Sequence, residues 1–278
     1  MIRAAVLGKP IAHSRSPLLH NSAYARLDID GDYSAIEVDE SSIASFLRGA
    51  ETDEFTGFSL TMPLKDILRD ESHQRKLSHE TGFVFEIDTD ARTIGSVNTL
   101  LRTHSGFRAL STDYLGFRRL LAKSVGTDAA ITVLGGGGTA RAAIGALASL
   151  GCMEMTVHLR GSINSPHVTV LKHFFPKVEF TFREFGSALS SNDLLLNTTP
   201  QGSADTYALD ENLDAQSVIF ESLYHPWPTA LAEASLKLGI LTFSGKDLLV
   251  EQALDQISLM TGKIFDFDEM REFLLSLG

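Results

Sequence analysis

The sequence of 278 residues predicts an α/β protein of two domains, with the C-terminal helices packing back on the first domain. Short β-rich runs alternate with amphipathic helical stretches from the first residues onward, which is typical of mostly parallel sheets with crossover helices. A second series begins after the turn Gly126-Thr127-Asp128. The last two predicted helices have no strand between them. We therefore expect one domain of residues 1–125 plus 246–278 and another of residues 126–245.

In the first domain, strands are predicted where short apolar runs lie between turn residues. These runs are Ala4–Leu7, Tyr33–Val38, Phe55–Leu60, and a pair, Val97–Arg102 and Phe107–Ser111, around the turn His104-Ser105-Gly106. Helices are predicted where serine or proline precedes an amphipathic stretch. They run from Ser16 to about Leu27, from Ser41 or Ser42 to before Gly49, onward from Pro63, and from about Tyr114 to Lys123. Residues 66–93 are charged and show no clear period, so they predict only local structure.

The second domain repeats the alternation of strand and helix more regularly. Its strands are predicted at Ala130–Leu134, Met155–Leu159, Val178–Phe182, Leu194–Leu196 and Val218–Glu221. The alanine-rich stretch Thr139–Leu150 predicts a helix directly after the first of them. The two C-terminal helices are predicted at about Lys246–Met260 and Asp266–Leu277.

Composition limits the classes of function. The hydrophobic share of 44% and charged share of 21% are those of an ordinary globular protein. A net charge of −11 disfavours nucleic acids and anionic membranes. One cysteine, Cys152, allows no disulfide or thiolate zinc cluster within the chain, and the histidines lack metal-ligand spacing. We therefore expect no bound metal. The N-terminal apolar run is too short for a signal peptide, so we expect a cytoplasmic protein.

The segment ITVLGGGGTARAAIGAL places Gly135, Gly137 and Ala140 in a G-x-G-x-x-A arrangement between a strand and a helix. The first glycine permits a tight turn, the second lets the backbone approach a pyrophosphate, and the small third residue lets helix and strand pack closely. The N-terminus of the helix then favours the anion. The alternative is a glycine-rich turn without a ligand. The flanking strand and helix favour a Rossmann-like domain that binds a nicotinamide dinucleotide.

Arg160 follows the next predicted strand, where such domains discriminate between the two nicotinamide cofactors. An acid there binds the ribose 2′-hydroxyl of NAD, whereas an arginine meets the 2′-phosphate of NADP. The sequence therefore favours NADP(H), with NAD(H) as the alternative, because no second basic residue lies nearby. The alternative interpretation is that Arg160 is a solvated residue at the end of a strand.

Lys65, in SLTMPLKD, is a candidate for the proton transfer that accompanies hydride transfer from an alcohol. We expect it in the first turn of a helix, where the macrodipole disfavours a charged ammonium. A solvated lysine is the alternative. Ser14 and Ser16 offer two hydroxyls at a helix N-terminus, which can hold a carboxylate, although capping alone explains Ser16.

Taken together, the motifs resemble the shikimate dehydrogenase family over nearly the whole chain. The motifs that carry the resemblance are GKPIAHSRSPLLHN, SLTMPLK, GSVNTL, STDYLGF, GGGGTARA, NTTPQG, Tyr224-His225-Pro226 and GKDLLVEQA. The resemblance implies a substrate domain and a Rossmann-like NADP domain flanking a cleft, and it implies reversible reduction of 3-dehydroshikimate to shikimate by NADPH in chorismate biosynthesis. Lys65 and Asp113 would form the catalytic pair.

The resemblance also implies the remaining site residues. Those implied for the substrate are Ser14, Ser16, Ser59, Thr61, Lys65, Asn98, Asp113, Tyr224 and Gln252. Those implied for the cofactor are Gly135, Gly136, Gly137, Gly138, Thr139, Ala140, Arg160, Asn197, Thr198, Thr199, Tyr224 and Gly245. The chain departs from the family pattern at several positions. Ser59 and Ser111 replace asparagines, Leu159 and Gly161 replace polar neighbours of the arginine, and Glu221 replaces an aspartate.

Two other functions fit the same sequence. A quinate or quinate/shikimate dehydrogenase using NAD(P) would share the scaffold, and Ser16, rather than threonine, favours shikimate. A non-catalytic dinucleotide-binding regulator would keep the glycine-rich turn but could lose Lys65 or Asp113, and both are present. The expected partner is a small-molecule substrate, bound by a monomer or homodimer.

Overall fold

The structure is a computed structural model of the chain and describes residues 1–190, 192–210, 213 and 217–277. The chain divides into two compact units. Unit 1 comprises Met1–Leu115 and Leu249–Gly278, and unit 2 comprises Gly116–Leu248.

Strands and helices alternate through both units. The strands among the described residues are β1 (Ile2–Gly8), β2 (Gly31–Glu37), β3 (Gly57–Leu60), β4 (Val84–Ile87), β5 (Thr99–Arg102), β6 (Gly106–Leu110), β7 (Ile131–Leu134), β8 (Glu154–Leu159), β9 (Glu179–Glu184), β10 (Leu194–Asn197), β11 (Val218–Glu221) and β12 (Leu241–Ser244). The α-helices are α1 (Ser16–Arg26), α2 (Ile43–Leu47), α3 (Glu71–Thr81), α4 (Thr89–Ile94), α5 (Thr112–Leu121), α6 (Gly138–Ser149), α7 (Pro166–Phe174), α8 (Ala230–Lys237), α9 (Gly245–Thr261) and α10 (Phe267–Ser276). The 3₁₀ helices are Ala50–Glu54, Leu64–Asp66, Ser162–Asn164 and Asp205–Leu209.

Unit 1 is built on a mixed sheet, in which the described strands have the order β2-β1-β3-β5-β6-β4. The pairs β1–β2, β1–β3 and β4–β6 are parallel, while β5 runs antiparallel to β3 and β6. The tight turn between β5 and β6 explains the antiparallel pair, because only an antiparallel pair can be joined so briefly. The α/β class and the mostly parallel pairing predicted for this region are confirmed.

The C-terminal helices pack on unit 1, as the sequence predicts. Val250, Leu254 and Ile257 of α9 and Leu274 of α10 are fully buried in one cluster with apolar residues of β1, α1 and β2. Burying side chains of this size stabilises the fold by about 1.5–3 kcal/mol each. The first and last parts of the chain therefore share one hydrophobic core.

Residues 66–93 contain more regular structure than their pattern predicts. They contain all of α3 and β4, and all of α4 except Ile94. Asp70 caps α3 by accepting from the backbone N–H groups of Ser72 and His73, and Gly82 ends it in the left-handed conformation. Asp88 caps α4 in the same way. Because α3 buries only Leu77 and Thr81, its apolar period is weak, and the capping residues are the stronger signal.

Unit 2 is built on a parallel sheet whose described strands have the order β12-β11-β10-β7-β8-β9. Counted from β7 along the chain, this is the order 3-2-1-4-5-6 of the Rossmann fold. A parallel sheet of this kind has crossover helices on both faces. Strands β7 and β10 are therefore buried on both faces, which explains their continuous apolar runs. The strand order reverses between β7 and β10, and this is the position where dinucleotides bind such sheets.

Two helix caps differ from the predictions. Ser16 is the first helical residue of α1 rather than its cap, and its backbone N–H donates to Oγ of Ser14 at 3.3 Å. Ser42 precedes α2 without capping it, because its hydroxyl bonds to Asp39.

No helix in the described ranges is long and apolar enough to cross a membrane.

Candidate functional site

One edge of the sheet in unit 1 collects the ends of several strands. Leu7 of β1 lies beside Leu60 of β3, so both strands end at the same edge. The antiparallel strand β5 begins there, because Thr99 pairs with Ser59 on one side and with Leu110 of β6 on the other. The residues that follow β3 and β6, and the residue that precedes β5, are therefore brought together from three distant parts of the sequence.

Lys65 and Asp113 meet at this edge. Nζ of Lys65 donates to Oδ2 of Asp113 at 2.6 Å, and their side chains are 19% and 6% exposed. The carbonyl of Lys65 accepts from the backbone N–H of Val97 at 3.1 Å, which fixes the start of the lysine side chain. An amine and a carboxylate in contact, and largely shielded from water, can hold and pass a proton.

The predicted position of Lys65 in an α-helix is wrong. Pro63 is followed by the short 3₁₀ helix Leu64–Asp66, and the next α-helix starts only after the Asp70 cap. A three-residue 3₁₀ helix has too few aligned peptides to build the macrodipole of an α-helix. The charge that the structure places against the Lys65 amine is therefore the Asp113 carboxylate.

Other candidate substrate residues of unit 1 lie at or near the ends of the same strands: Asn98 precedes β5 and Thr61 follows β3. Nδ2 of Asn98 donates to Oε1 of Gln252 at 3.3 Å, and both side chains are buried. Thr61 is half-buried beside Gly8, where a Cβ on the glycine would lie 2.4 Å from Cγ2 of the threonine. Glycine at the end of β1 is therefore required by the close approach of Thr61.

Ser59 differs from the other candidates, because its hydroxyl is buried in a hydrogen-bond network. It accepts from Oη of Tyr33 at 2.6 Å and donates to Oε1 of Gln256 at 2.7 Å. The sequence reasoning missed Gln256. The available signal was its spacing: Gln256 lies one helical turn after Gln252, a second buried amide on the same face of α9. The other departure, Ser111, has a buried hydroxyl without a hydrogen-bond partner among the described residues.

The glycine-rich turn lies at the switch point of the sheet in unit 2. Gly135 follows β7 with a φ of 104°, and a Cβ there would lie 2.8 Å from Oγ1 of Thr198, the residue after β10. Thr198 in turn donates from Oγ1 to the carbonyl of Leu134 at 2.8 Å. Ala140 is fully buried in α6. The first and third positions of the motif therefore serve the close packing of strand and helix.

Gly137 shows the opposite environment. It is the residue before α6, and a Cβ placed on it would meet nothing within 4 Å. Its backbone therefore faces open space at the N-terminus of a helix, where backbone N–H groups and the macrodipole favour an anion. This position therefore suits the negative charge of a dinucleotide pyrophosphate.

The surroundings of Arg160 contain an acid. The arginine is exposed directly after β8, and the next residue, Gly161, donates its backbone N–H to Oε1 of Glu184 at 3.0 Å. The carboxylate at the end of β9 thus lies beside the segment that carries the predicted 2′-phosphate contact. A phosphate bound there would be attracted by Arg160 and repelled by Glu184.

The residues after β10 are held by a buried acid. Asn197 donates from Nδ2 to Oε2 of Glu221 at 2.8 Å and accepts from Oγ1 of Thr199 at 2.6 Å. Burial raises the pKa of Glu221 above its ordinary value. Leu223 also donates its backbone N–H to this carboxylate at 3.2 Å, so Glu221 connects the segment after β10 with the one that leads to Tyr224.

Gly245 holds the far end of that segment. A Cβ at Gly245 would lie 2.1 Å from the carbonyl oxygen of Ser222, so no larger residue fits without a shift of the backbone. Tyr224 is half-buried and belongs to unit 2, whereas the other candidate substrate residues belong to unit 1. Within the described part of the chain, no group of three or more metal-ligating side chains could hold a metal ion.

A Rossmann-type sheet with a glycine-rich turn at its switch point, in a chain that also holds a contacting lysine and aspartate, defines a nicotinamide-dependent oxidoreductase. Residues 6–74 match the family model described as the shikimate dehydrogenase substrate binding domain. A shikimate dehydrogenase (NADP(+)) of Methanococcoides burtonii is 30% identical over 93% of this chain and 92% of its own length. The chain belongs to the shikimate dehydrogenase family.

Solved structures agree with this assignment. The crystal structure of Mycobacterium tuberculosis shikimate dehydrogenase is 34% identical, covers 100% of both chains and has a TM-score of 0.80. A shikimate 5-dehydrogenase of Thermus thermophilus in complex with NADP(H) and shikimate is 27% identical, covers 99% of both chains and has a TM-score of 0.77. The predicted family and fold are confirmed.

Proposed function

We propose that this chain is an NADP-dependent shikimate dehydrogenase, which catalyses the reversible reduction of 3-dehydroshikimate to shikimate in chorismate biosynthesis. The observation that carries the proposal is the contact between Lys65 Nζ and Asp113 Oδ2 at 2.6 Å. The named activities of the similar proteins support it. A non-catalytic regulator would have no need of this pair.

The proposed roles divide between the two units. Unit 1 binds the substrate, with Ser14 and Ser16 at its carboxylate and with Thr61, Asn98 and Gln252 at its ring hydroxyls. Unit 2 binds NADP(H) through Gly135–Ala140, Arg160 and the segment after β10, which begins at Asn197 and is hydrogen-bonded to Glu221. Tyr224 contributes to the binding of both ligands. The substrate domain would comprise residues 1–125 with 246–278, and the NADP domain residues 126–245; these bounds differ from units 1 and 2 at residues 116–125 and 246–248.

The chemistry assigned to the chain is proton transfer. When bound, NADP⁺ would supply the hydride acceptor for the carbon that bears the reacting hydroxyl. Nζ of Lys65, as the neutral amine, takes the proton of that hydroxyl as the carbonyl forms, and it returns the proton in the reverse direction. Oδ2 of Asp113 holds Nζ in place and stabilises the ammonium that forms. Each direction therefore balances one hydride and one proton.

Initial rates with shikimate and quinate, each with NADP⁺ and NAD⁺, test the proposal. Shikimate with NADP⁺ should give the highest kcat/KM of the four combinations. Preference for quinate with NAD⁺ would contradict the assignment.

Ser16→Thr is a matched variant for the substrate choice, because Ser16 is buried at the start of α1 and threonine adds one methyl group. The change should move the ratio of shikimate to quinate turnover toward quinate. An unchanged ratio would remove Ser16 from the account of specificity.

We also propose a cytoplasmic location and a protein that acts without nucleic acid or membrane, as a monomer or homodimer. Light scattering of the purified protein distinguishes the two oligomeric states. Fractionation of cells that express the full chain tests the location, and recovery with the membrane pellet would contradict it.

A further inference from the structure

A chain of buried hydrogen bonds crosses unit 1 and ends at the candidate substrate site. It begins at Tyr33, whose hydroxyl donates to Ser59 at 2.6 Å, and the Ser59 hydroxyl donates to Oε1 of Gln256 at 2.7 Å. Nε2 of Gln256 then donates to Oγ1 of Thr99 at 3.0 Å and to Oγ1 of Thr112 at 3.1 Å. Gln256, Thr99 and Thr112 are fully buried, so water does not compete for these bonds.

The two threonines pass the chain on to Asn98. Both hydroxyls donate to Oδ1 of Asn98, at 3.1 Å from Thr99 and 3.0 Å from Thr112. The backbone N–H of Thr112 donates to the same oxygen at 2.7 Å. Nδ2 of Asn98 donates onward to Oε1 of Gln252 at 3.3 Å. We call the series from Tyr33 to Asn98 the Gln256 chain.

The Gln256 chain has one direction. Each hydroxyl has a single hydrogen, and the Gln256 amide has two on nitrogen and none on oxygen. With Oε1 accepting from Ser59, both hydrogens on Nε2 are used by the two threonines. The threonine hydroxyls lie 3.1 Å from each other, and both lie within hydrogen-bond distance of Asn98 Oδ1, which can accept from both. The orientation of the Gln256 amide therefore reinforces the orientation of the Asn98 amide, which the backbone N–H of Thr112 also favours.

At the candidate substrate site, the Asn98 amide is therefore held in one orientation. Because Oδ1 of Asn98 is turned toward Thr99 and Thr112, the side of the amide that remains for a ligand carries N–H groups. Gln252 accepts one of these hydrogens, and the second can meet an acceptor on the substrate, such as a hydroxyl oxygen. A reversed amide would present a carbonyl oxygen instead and would turn its own N–H groups toward the backbone N–H of Thr112, which would leave that donor without an acceptor, and this is costly.

We propose that Gln256 is a positioning residue of the substrate site, which fixes the Asn98 amide so that it presents N–H donors to the substrate. The inference rests on the proposed function, because it takes the ligand of Asn98 to be shikimate. It also accounts for the departure at Ser59. Serine is shorter than the asparagine of the family pattern and has no amide. The amide that contacts Ser59 is that of Gln256, from α9. Thr112 precedes Asp113, so the same contacts hold the start of α5 beside the catalytic pair.

Gln256→Met is the direct test, because methionine keeps the unbranched length of glutamine and removes its donors and acceptor. The KM for shikimate should rise by about 3- to 10-fold, the value of one hydrogen bond to an uncharged group. The KM for NADP⁺ should stay near that of the wild type. Ile257→Val is the matched control, since it removes packing from the neighbouring fully buried residue of α9 without touching a polar group. Equal KM values for shikimate in the two variants would overturn the proposal.

The double variant Thr99→Val/Thr112→Val tests the route of the effect and keeps the proposal falsifiable if Gln256→Met does not fold. It should raise the KM for shikimate to a similar extent, and adding Gln256→Met should raise it little further, because the residues act through one path. An unchanged KM in the double variant, or independent effects that add in the triple variant, would contradict the positioning role. Absence of shikimate oxidation by the wild type would instead defeat the proposed function itself.

Discussion

The candidate substrate site of unit 1 and the candidate dinucleotide site of unit 2 are built from different parts of the polypeptide. In unit 1 the working groups are side chains, such as Lys65, Asp113 and Asn98, held by buried contacts between distant segments. In unit 2 the central feature is backbone: a turn at Gly135 with positive φ, and Gly137 open at the start of α6. A side-chain site can discriminate between small substrates, whereas a backbone turn recognises the phosphate group common to many nucleotides.

The difference extends to the surroundings. The side chains near Asn98 are buried and mutually hydrogen-bonded, so their geometry exists before a ligand arrives. Arg160, in contrast, is exposed and next to a segment that Glu184 already binds. Substitutions in unit 1 should therefore change catalysis or substrate KM sharply, while those in unit 2 should change cofactor affinity in a graded way.

The largest effect is expected for Lys65→Ala. Without the amine, the hydroxyl proton has no positioned acceptor, and kcat should fall by about two to four orders of magnitude. Binding of NADPH, measured by fluorescence titration, should change little. Lys237→Ala is the matched control, because Lys237 also pairs with a carboxylate, Glu233, at 2.7 Å but lies exposed on α8. Near-normal turnover in Lys65→Ala would rule out the assigned role.

Two glycine variants separate folding from binding in unit 2. Gly135→Ala forces a positive φ on alanine and a clash with Thr198, so the free energy of unfolding should fall by about 2–5 kcal/mol. Gly137→Ala meets open space at an ordinary φ of −77°, so stability should be retained while NADPH binds about 10- to 100-fold more weakly. Denaturant unfolding and NADPH titration measure the two quantities. Unaltered affinity in Gly137→Ala would argue against a pyrophosphate at this turn.

Arg160→Ala and Glu184→Gln should move cofactor selectivity in opposite directions. Loss of the guanidinium should weaken NADP⁺ binding by about 10-fold, a value reduced by its exposure, and should leave NAD⁺ binding unchanged. Loss of the carboxylate charge beside Gly161 should favour NADP⁺, because the repulsion of a 2′-phosphate is removed. The KM values of each variant for both cofactors provide the measurement. Parallel changes for NADP⁺ and NAD⁺ would show that neither residue reads the 2′-phosphate.

The most gradual effect is expected for the pH dependence of stability that arises from His20 in unit 1. The ring is fully buried and stacks on Tyr33 at 3.8 Å, and burial lowers its pKa from 6.5 to about 3. Below pH 6.5 the unfolded chain binds a proton that the folded chain refuses until about pH 3. The stabilisation is therefore complete above the unfolded pKa and is lost as pH falls, by at most about 1.4 kcal/mol per pH unit. Urea unfolding at several pH values should show a shallower slope for His20→Gln, and equal slopes would contradict the assignment.

The sequence predicts the turn at Gly135 in unit 2 but not the hydrogen bonds of the Gln256 chain in unit 1. The turn at Gly135 is local, since its glycines, its strand and its helix are neighbours in the chain, and both elements are confirmed. The Gln256 chain is non-local: Ser59 and Gln256 are 197 residues apart, and no local pattern pairs them. The α-helix predicted around Lys65 failed for a different, local reason: Asp70 caps the next α-helix, which therefore starts beyond Lys65.

The central claim is that this chain moves a hydride from shikimate to NADP⁺ with Lys65 handling the proton. The most direct measurement uses shikimate deuterated at the carbon that bears the reacting hydroxyl, with mass spectrometry of the cofactor product. The wild type should yield NADPH that carries the deuterium, and Lys65→Ala should bind both ligands but transfer it far more slowly. A wild-type product without deuterium, or equal transfer by the variant, would contradict the account.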